Sequence, residues 1–186
     1  MISYVNKLGT VSVGNSNPVR IMGILNTSHE SFYKKSISIG KKRIVDSVRR
    51  MEEDGADFVD VGGMSTAPYL STMVSEKTET HRIIKAVKII QQVSNLPISI
   101  DTCRAGVAKK SLEFGVDIIN DVTGLKYDPM MSKIIEKYCP SLVLCAFSKK
   151  LITGNQSLKT KNLLKESLNI AKSACIPSTK IVLDPA

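Results

Sequence analysis

Several common functional signatures are missing from the sequence. No apolar run approaches the roughly 20 residues needed to span a bilayer, and residues 1–14 lack the long apolar core of a signal peptide. The four cysteines form no Cys-x-x-Cys pair, which argues against a zinc or redox motif. These absences predict a soluble, cytoplasmic protein with reduced thiols and no membrane partner.

Nucleotide-binding and nucleophilic motifs are also missing. There is no Gly-x-Gly-x-x-Gly fingerprint and no Walker A loop. No Ser-His-Asp or Cys-His arrangement is evident; we expect His29 to lie in a solvated loop and His81 on a helix surface. The net charge of +9 comes from Lys and Arg scattered through helix-like segments, without RNA-binding aromatic motifs. We therefore expect solvated helix faces and a phosphate-bearing substrate rather than nucleic acid, whose binding would depend steeply on salt.

Short apolar runs alternate with amphipathic stretches along the chain. The latter include 41–54, 83–90, 105–112 and 157–174, and Asp128-Pro129 indicates a helix start. The pattern predicts a parallel sheet with helical crossovers, preceded by an extended segment or hairpin at 3–13. The predicted strands are 20–25, 57–62, 97–101, 116–121, 141–146 and 180–184.

Polar side chains end successive predicted strands. They are Asn26, Asp60, Asp101, Asn120 and Asp184. An open doubly wound sheet and a closed barrel both fit the alternation, but polar strand ends favour a barrel, whose active site collects side chains at that rim. Each of these residues can alternatively cap a helix or fix a turn. That structural role is the preferred interpretation for Asp60 and for Asp121, the residue after Asn120.

Five stretches resemble the dihydropteroate synthase and pterin-binding barrel family, in that family's order and spacing. They are MGILNTSHESFY (22–33), GADFVDVGGMSTAP (55–68), ISIDT (98–102), GVDIINDVTG (115–124) and VLDP (182–185). The resemblance implies an α/β fold of the (β/α)8 TIM-barrel type. It also implies condensation of 6-hydroxymethyl-7,8-dihydropterin pyrophosphate with p-aminobenzoate or a related arylamine, with release of pyrophosphate.

The same resemblance implies roles for individual residues. Asp101, Asn120 and Asp184 match pterin-binding positions, and Asn26 matches a position associated with Mg²⁺ and pyrophosphate. The first two βα loops match mobile loops that close over the substrates; their candidate contacts are Ser31, Phe32, Ser65 and Thr66. No side-chain nucleophile is expected.

The chain departs from the family pattern in both loops and in length. Glu30 replaces an aspartate, Met64 a glutamate and Ala67 an arginine. The two loops resemble those of an archaeal-type branch, and their changes leave the identity of the arylamine acceptor open. The 186 residues are fewer than the roughly 250 of a full barrel. We expect one domain over 1–186, C-terminally truncated after about six strands, weakly active or inactive alone, and forming a homodimer or joined by a completing chain.

Two other functions share these residues. A pterin-dependent methyltransferase acting on a corrinoid would use Asp101, Asn120 and Asp184, although the loops favour the synthase. A non-catalytic pterin-binding or scaffolding chain is the second alternative, and the missing strands favour it.

Overall fold

A computed structural model describes residues 6–14, 16–28, 40–64, 74–149 and 154–186 of the chain. Its elements alternate between strand and helix, as the hydrophobic pattern predicts. The strands are β1 (Asn6–Leu8), β2 (Val11–Val13), β3 (Met22–Asn26), β4 (Phe58–Gly62), β5 (Ile98–Asp101), β6 (Ile118–Asp121), β7 (Ser141–Cys145) and β8 (Ile181–Asp184). The helices are α1 (Lys41–Glu53), α2 (Glu76–Ile90), α3 (Ala105–Glu113), α4 (Met131–Tyr138) and α5 (Gln156–Ser173).

The main sheet is parallel and follows chain order. Its strands pair as β3-β4-β5-β6-β7-β8, each with its sequence neighbours. A doubly wound sheet reverses its direction of winding at a switch point, whereas a βα-barrel continues in one direction. The sequential order therefore confirms the prediction of a TIM-barrel type sheet with six strands in the described part of the chain.

The two faces of this sheet carry different layers. Alternate strand residues pack outward against the helices and form the larger core. That core includes Leu25, Val59, Val61, Ile100, Ile119 and Leu144 from the strands and Ile44, Val48, Ile83, Val87, Ala108 and Ile135 from the helices. The remaining strand residues form the inner face of the sheet, where the candidate site lies.

The β1–β2 hairpin covers the amino-terminal end of the inner face. Leu8 packs against Phe58 and Ile118 in a separate apolar cluster. The backbone N–H of Gly9 also donates to Ser141 Oγ at 2.9 Å. Gly9 has a φ of +58° that suits glycine, and an added Cβ would lie 3.2 Å from Pro97 Cβ. The predicted hairpin is therefore present over 6–13, with residues 3–5 outside the described residues, and it lies at the end of the sheet opposite the carboxyl ends of the strands.

The two edge strands of the sheet expose apolar side chains. Ile24 on β3 is 57% exposed and Leu183 on β8 is 39% exposed. A groove of about 550 Å³ is lined from both edges, by Met22 on one side and by Val182 on the other. In the part of the chain that the structure describes, β3 and β8 each pair on one side only, and edges of this kind can accept further strands.

Helix α4 begins later than the sequence indicates. Its first residue is Met131 and its N-cap is Met130, whose N–H donates to Asp128 Oδ1 at 2.9 Å. The other carboxylate oxygen of Asp128 accepts from the N–H of Ala105 at 2.8 Å, at the start of α3. Asp128 is therefore shared between two helix starts, and α4 begins at Met131 rather than directly after Asp128. Across the described ranges, no helix combines the length and apolarity needed to cross a bilayer.

Candidate active site

Strand register brings three predicted positions together with Gly62 on the inner face. Asn26 pairs with Gly62, Gly62 with Asp101, and Asp101 with Asn120 on four adjacent strands. We refer to Asn26, Gly62, Asp101 and Asn120 as the polar row. It lies at the carboxyl end of the parallel strands, which is where ligands bind in βα-barrels. The predicted convergence of strand-end polar residues is therefore present for Asn26, Asp101 and Asn120, and their roles stay predictions.

Asn120 is held by a carboxylate from a neighbouring strand. Its Nδ2 donates to Asp60 Oδ2 at 3.1 Å. Asn120 Oδ1 and Asp60 Oδ1 are both buried and have no hydrogen-bond partner among the described residues. Burial raises the pKa of Asp60, and the hydrogen bond from Asn120 partly offsets that rise. Asp60 is therefore part of the inner-face site, where the sequence favoured a purely structural role.

Asp101 has an unused buried oxygen. Its Oδ1 lacks a hydrogen-bond partner within the described part of the chain. Burial raises the pKa of Asp101 well above its usual value, and the nearby charges of Asp60, Asp121 and Glu79 raise it further. A buried acceptor without a partner is costly, and a ligand that brings an N–H donor removes that cost. The polar row is consequently suited to a ligand edge rich in donors.

Asn26 lies beside Gly62 on the adjacent strand. A Cβ at Gly62 would stand 2.7 Å from Asn26 Oδ1 and 3.9 Å from Asp101 Oδ2. Thr27, the next residue, donates from both its N–H and its hydroxyl to Gly62 O, at 2.8 and 3.0 Å. The missing side chain of Gly62 thus gives Asn26 and Asp101 room beside each other.

Asp184 lies two residues beyond the register of the polar row, which continues through Val143 and Val182. It pairs in register with Cys145 at the ends of β7 and β8. Cys145 Sγ donates to Asp184 Oδ2 at 3.3 Å, and Asp184 Oδ1 accepts from the N–H of Ala186 at 2.9 Å. Burial and the Asp184 carboxylate raise the pKa of Cys145 to about 12, so the thiol stays protonated. Asp184 is exposed, so it is available to a ligand on the same inner face.

A buried ion pair supports the turn after β5. Glu79 is fully buried and accepts from Arg104 Nη1 at 2.7 Å and from Thr102 Oγ1 at 2.7 Å. The N–H of Thr102 donates to Asn120 O at 3.1 Å. This network connects α2 to the strand ends that carry Asp101 and Asn120. Sequence reasoning missed it, because no local motif marks Glu79 in an ordinary amphipathic helix.

Asp121 has a structural role, as the sequence predicts. Its side chain points to the helix side and is 1% exposed. It accepts from the N–H and hydroxyl of Thr123, at 2.8 and 2.6 Å, and from the N–H of Leu125 at 3.0 Å. These bonds fix the βα turn after β6. His81 lies exposed on α2, which also agrees with the prediction.

The four candidate loop contacts fall outside the described residues. They are Ser31, Phe32, Ser65 and Thr66, and His29 lies outside as well. Their roles therefore stay predictions. Within the described ranges, no group of three or more His, Cys, Asp or Glu side chains forms a metal site.

A parallel sheet whose strands follow chain order, with polar side chains at their carboxyl ends, is typical of the (β/α)8-barrel class of proteins. Comparison with known proteins identifies the family, since residues 22–186 match the family described as pterin binding enzyme. This chain belongs to the pterin-binding enzyme family.

Individual relatives agree with this assignment. Dihydropteroate synthase of Clostridium beijerinckii is 36% identical over 181 residues, which cover 96% of this chain and 66% of that protein. The Bacillus subtilis enzyme of the same name is 33% identical over 165 residues, which cover 89% of this chain and 58% of that protein. The chain thus spans about 58 to 66% of the length of these relatives. The archaeal-type branch stays a prediction.

Solved structures extend the similarity to the fold. Dihydropteroate synthase from Clostridium difficile, crystallised in the presence of pteroic acid, has a TM-score of 0.78 at 34% identity; the match covers 89% of this chain and 63% of that one. The Yersinia pestis enzyme, solved as a sulfonamide drug complex, has a TM-score of 0.86 at 24% identity. That match covers 97% of this chain and 66% of the Yersinia pestis chain. At that identity the second match supports the fold alone.

Proposed function

We propose that this chain supplies the pterin-binding part of a dihydropteroate synthase-like transferase. The observation that carries the proposal is the polar row, in which Asp101 and Asn120 each present a buried oxygen without a partner among the described residues. A pterin's pyrimidine edge offers adjacent N–H donors that suit these acceptors. Asp184 is a further candidate contact on the same face.

The proposed reaction joins a dihydropterin pyrophosphate to an arylamine. The bond from the exocyclic methylene to pyrophosphate breaks, the amine nitrogen bonds to that carbon, and the amine loses a proton. Such a reaction needs positioning, exclusion of water and charge stabilisation rather than a nucleophilic side chain. Support for this substrate class comes from relatives named dihydropteroate synthase, including one crystallised in the presence of pteroic acid.

Asn26 is the proposed protein ligand for Mg²⁺. Its amide oxygen is of the type that Mg²⁺ accepts, and the absence of a Cβ at Gly62 lets that oxygen lie within the polar row. Mg²⁺ commonly binds through few protein oxygens together with water and substrate phosphates. That habit fits a site in which the described ranges contain no group of three or more His, Cys, Asp or Glu side chains able to hold a metal ion. When bound, the ion would neutralise charge on pyrophosphate.

Ser31, Phe32, Ser65 and Thr66 remain proposed substrate contacts of the first two loops. The acceptor is proposed to be p-aminobenzoate or a related arylamine. The four free cysteines are typical of a reducing compartment, so the proposed location is the cytoplasm. We propose a single domain over 1–186 and either a homodimer or a completing chain, supported by the apolar edges of β3 and β8.

The direct test is a titration with 6-hydroxymethyl-7,8-dihydropterin pyrophosphate and Mg²⁺, monitored by calorimetry. Asp101→Asn should weaken binding by roughly 10- to 100-fold, equivalent to the 1.5–3 kcal/mol of a charged hydrogen bond. Asp57→Asn, the same substitution at the opposite end of the sheet, is the matched control and should bind normally. Equal affinity in the wild type and Asp101→Asn would contradict the proposed pterin site.

A steady-state assay addresses catalysis separately from binding. We expect this chain alone to bind pterin but to make dihydropteroate slowly or not at all. Rapid steady-state synthesis by the purified chain would contradict that expectation. Methyl transfer to a corrinoid protein in the absence of synthase activity would favour the methyltransferase alternative.

A further inference from the structure

Asp60 has no role in the proposed reaction, yet it contacts the amide that is expected to face the ligand. It is 6% exposed and lies on the inner face, two residues before Gly62 of the polar row. Among the side-chain contacts that the structure describes, it bonds to Asn120 across 60 positions of sequence. This pairing allows an inference about how the site distinguishes its ligands.

A carboxylate fixes the orientation of a neighbouring amide. An ionised carboxylate only accepts hydrogen bonds, whereas an asparagine side chain has one end that donates and one that accepts. The 3.1 Å contact with Asp60 Oδ2 therefore requires the NH2 group of Asn120 at that position. The opposite end of the amide, Oδ1, is left as the acceptor without a partner among the described residues.

We propose that Asp60 is a positioning residue that sets the specificity of the site by locking the Asn120 amide with its oxygen toward the ligand. The proposal rests on the pterin function stated above. With Asp60 ionised, Asn120 and Asp101 both present acceptors and select a ligand edge with adjacent donors. Without that carboxylate, the side-chain amide of Asn120 can flip and present its NH2 group to the ligand. The preference for a ligand edge with adjacent donors then weakens.

Asp60→Asn is the discriminating variant, because it keeps the shape of the side chain but adds a donor. Affinity is measured at pH 8 for 6-hydroxymethyl-7,8-dihydropterin pyrophosphate and for its 2-oxo counterpart, which replaces an amino donor with an acceptor. We expect the wild type to prefer the pterin and the variant to lose about tenfold of that preference. Asp57→Asn is the matched control and should keep the wild-type ratio, and thermal unfolding verifies that each variant folds.

A double-mutant cycle separates positioning from a general structural effect. If Asp60 acts through Asn120, then Asp60→Asn has no further effect on the affinity ratio in an Asn120→Ala background. The same loss in both backgrounds would overturn the proposal, as would an unchanged ratio in Asp60→Asn. If the wild type binds neither ligand, the proposed pterin function is overturned. The role of Asp60 is then decided by a second measurement that needs no ligand.

That measurement is the NMR signal of the Asn120 side-chain amide in the ligand-free protein. It needs neither a ligand nor a folded Asp60 variant. The signal is assigned by its loss in Asn120→Ala, and its hydrogen exchange is compared with that of the exposed Asn162. Exchange at least tenfold slower than at Asn162 supports a locked amide, and exchange as fast as at Asn162 overturns the proposal.

Discussion

Asn26 Oδ1 lies 2.7 Å from the point that a Cβ at Gly62 would occupy, so the absence of a side chain on β4 determines where the β3 amide can lie. Gly62→Ala should therefore displace Asn26 from the polar row. Since Asn26 is the proposed Mg²⁺ ligand, we expect a roughly 10- to 100-fold weaker Mg²⁺-dependent binding of the pterin pyrophosphate. Calorimetry with and without Mg²⁺ measures this effect.

Gly23→Ala provides the control for this prediction. Its added Cβ would also meet an atom at 2.7 Å, but that atom is Sδ of the flexible Met51 side chain. Met51 packs against the outer core rather than the inner face. The control should lower stability slightly and leave binding unchanged. Equal losses of binding in the two variants would show that Gly62 has no special relation to Asn26.

Asp101 should make the ligand-free protein less stable at neutral pH than in mild acid. Its pKa in the folded protein is raised well above 3.8, chiefly by burial, so the folded state holds the proton more tightly than the unfolded state does. The associated stability is full below about 3.8 and is lost as pH rises through the folded pKa. Asp101→Asn does not titrate and should avoid this loss.

The difference in Tm between Asp101→Asn and the wild type should therefore increase from pH 4 to pH 8. At pH 8 we expect the variant to melt roughly 2–4 °C higher, a shift equivalent to about 1 kcal/mol in a domain of this size. Thermal unfolding followed by circular dichroism gives both curves. A constant difference across this pH range would mean that the Asp101 pKa is not raised on folding.

Removing one partner of the Glu79–Arg104 pair should be strongly destabilising. Arg104→Ala leaves the fully buried Glu79 carboxylate without its cation, which typically costs about 3–5 kcal/mol. Arg50→Ala breaks an exposed pair with Asp54 and should change stability by less than about 0.5 kcal/mol. Urea unfolding compares the two variants. Adding Glu79→Gln to Arg104→Ala should restore part of the lost stability, because the uncompensated charge is then gone.

The cysteines should differ sharply in reactivity. Burial is the main cause that raises the pKa of Cys103 and of Cys145 to about 12, so almost none of either thiol is ionised at pH 8. Cys175 is exposed. Brief treatment with iodoacetamide at pH 8, followed by peptide mass spectrometry, should label Cys175 first. Labelling of Cys145 at a similar rate would mean that its contact with Asp184 does not persist in solution.

The sequence was sufficient to predict the strands and helices because the strands are short apolar runs and the helices are amphipathic. The choice of a barrel also followed from the sequence, since polar residues such as Asp101 and Asn120 end consecutive strands. The start of α4 was predicted too early. Local sequence favours Asp128 as a cap, but that carboxylate also bonds to the N-terminus of α3, a contact that no local pattern reveals.

The role of Asp60 was missed for a related reason. Its immediate surroundings resemble those of any buried strand, and its partner Asn120 is 60 residues away. Strand alternation contained a usable signal, because Asp60 shares a face with Gly62 and therefore with the strand-end residues. Glu79 offered no such signal, since only the packed structure brings Arg104 and Thr102 to it.

The hairpin at the start of the chain has a consequence for the order of folding. Gly9 bonds to Ser141, a residue 132 positions later, and Leu8 packs on Ile118. During synthesis, most of the sheet must emerge before these contacts can form. The hairpin should therefore reach its final place only after the sheet residues that are synthesised later, and the apolar amino-terminal end of the inner face stays uncovered until it does.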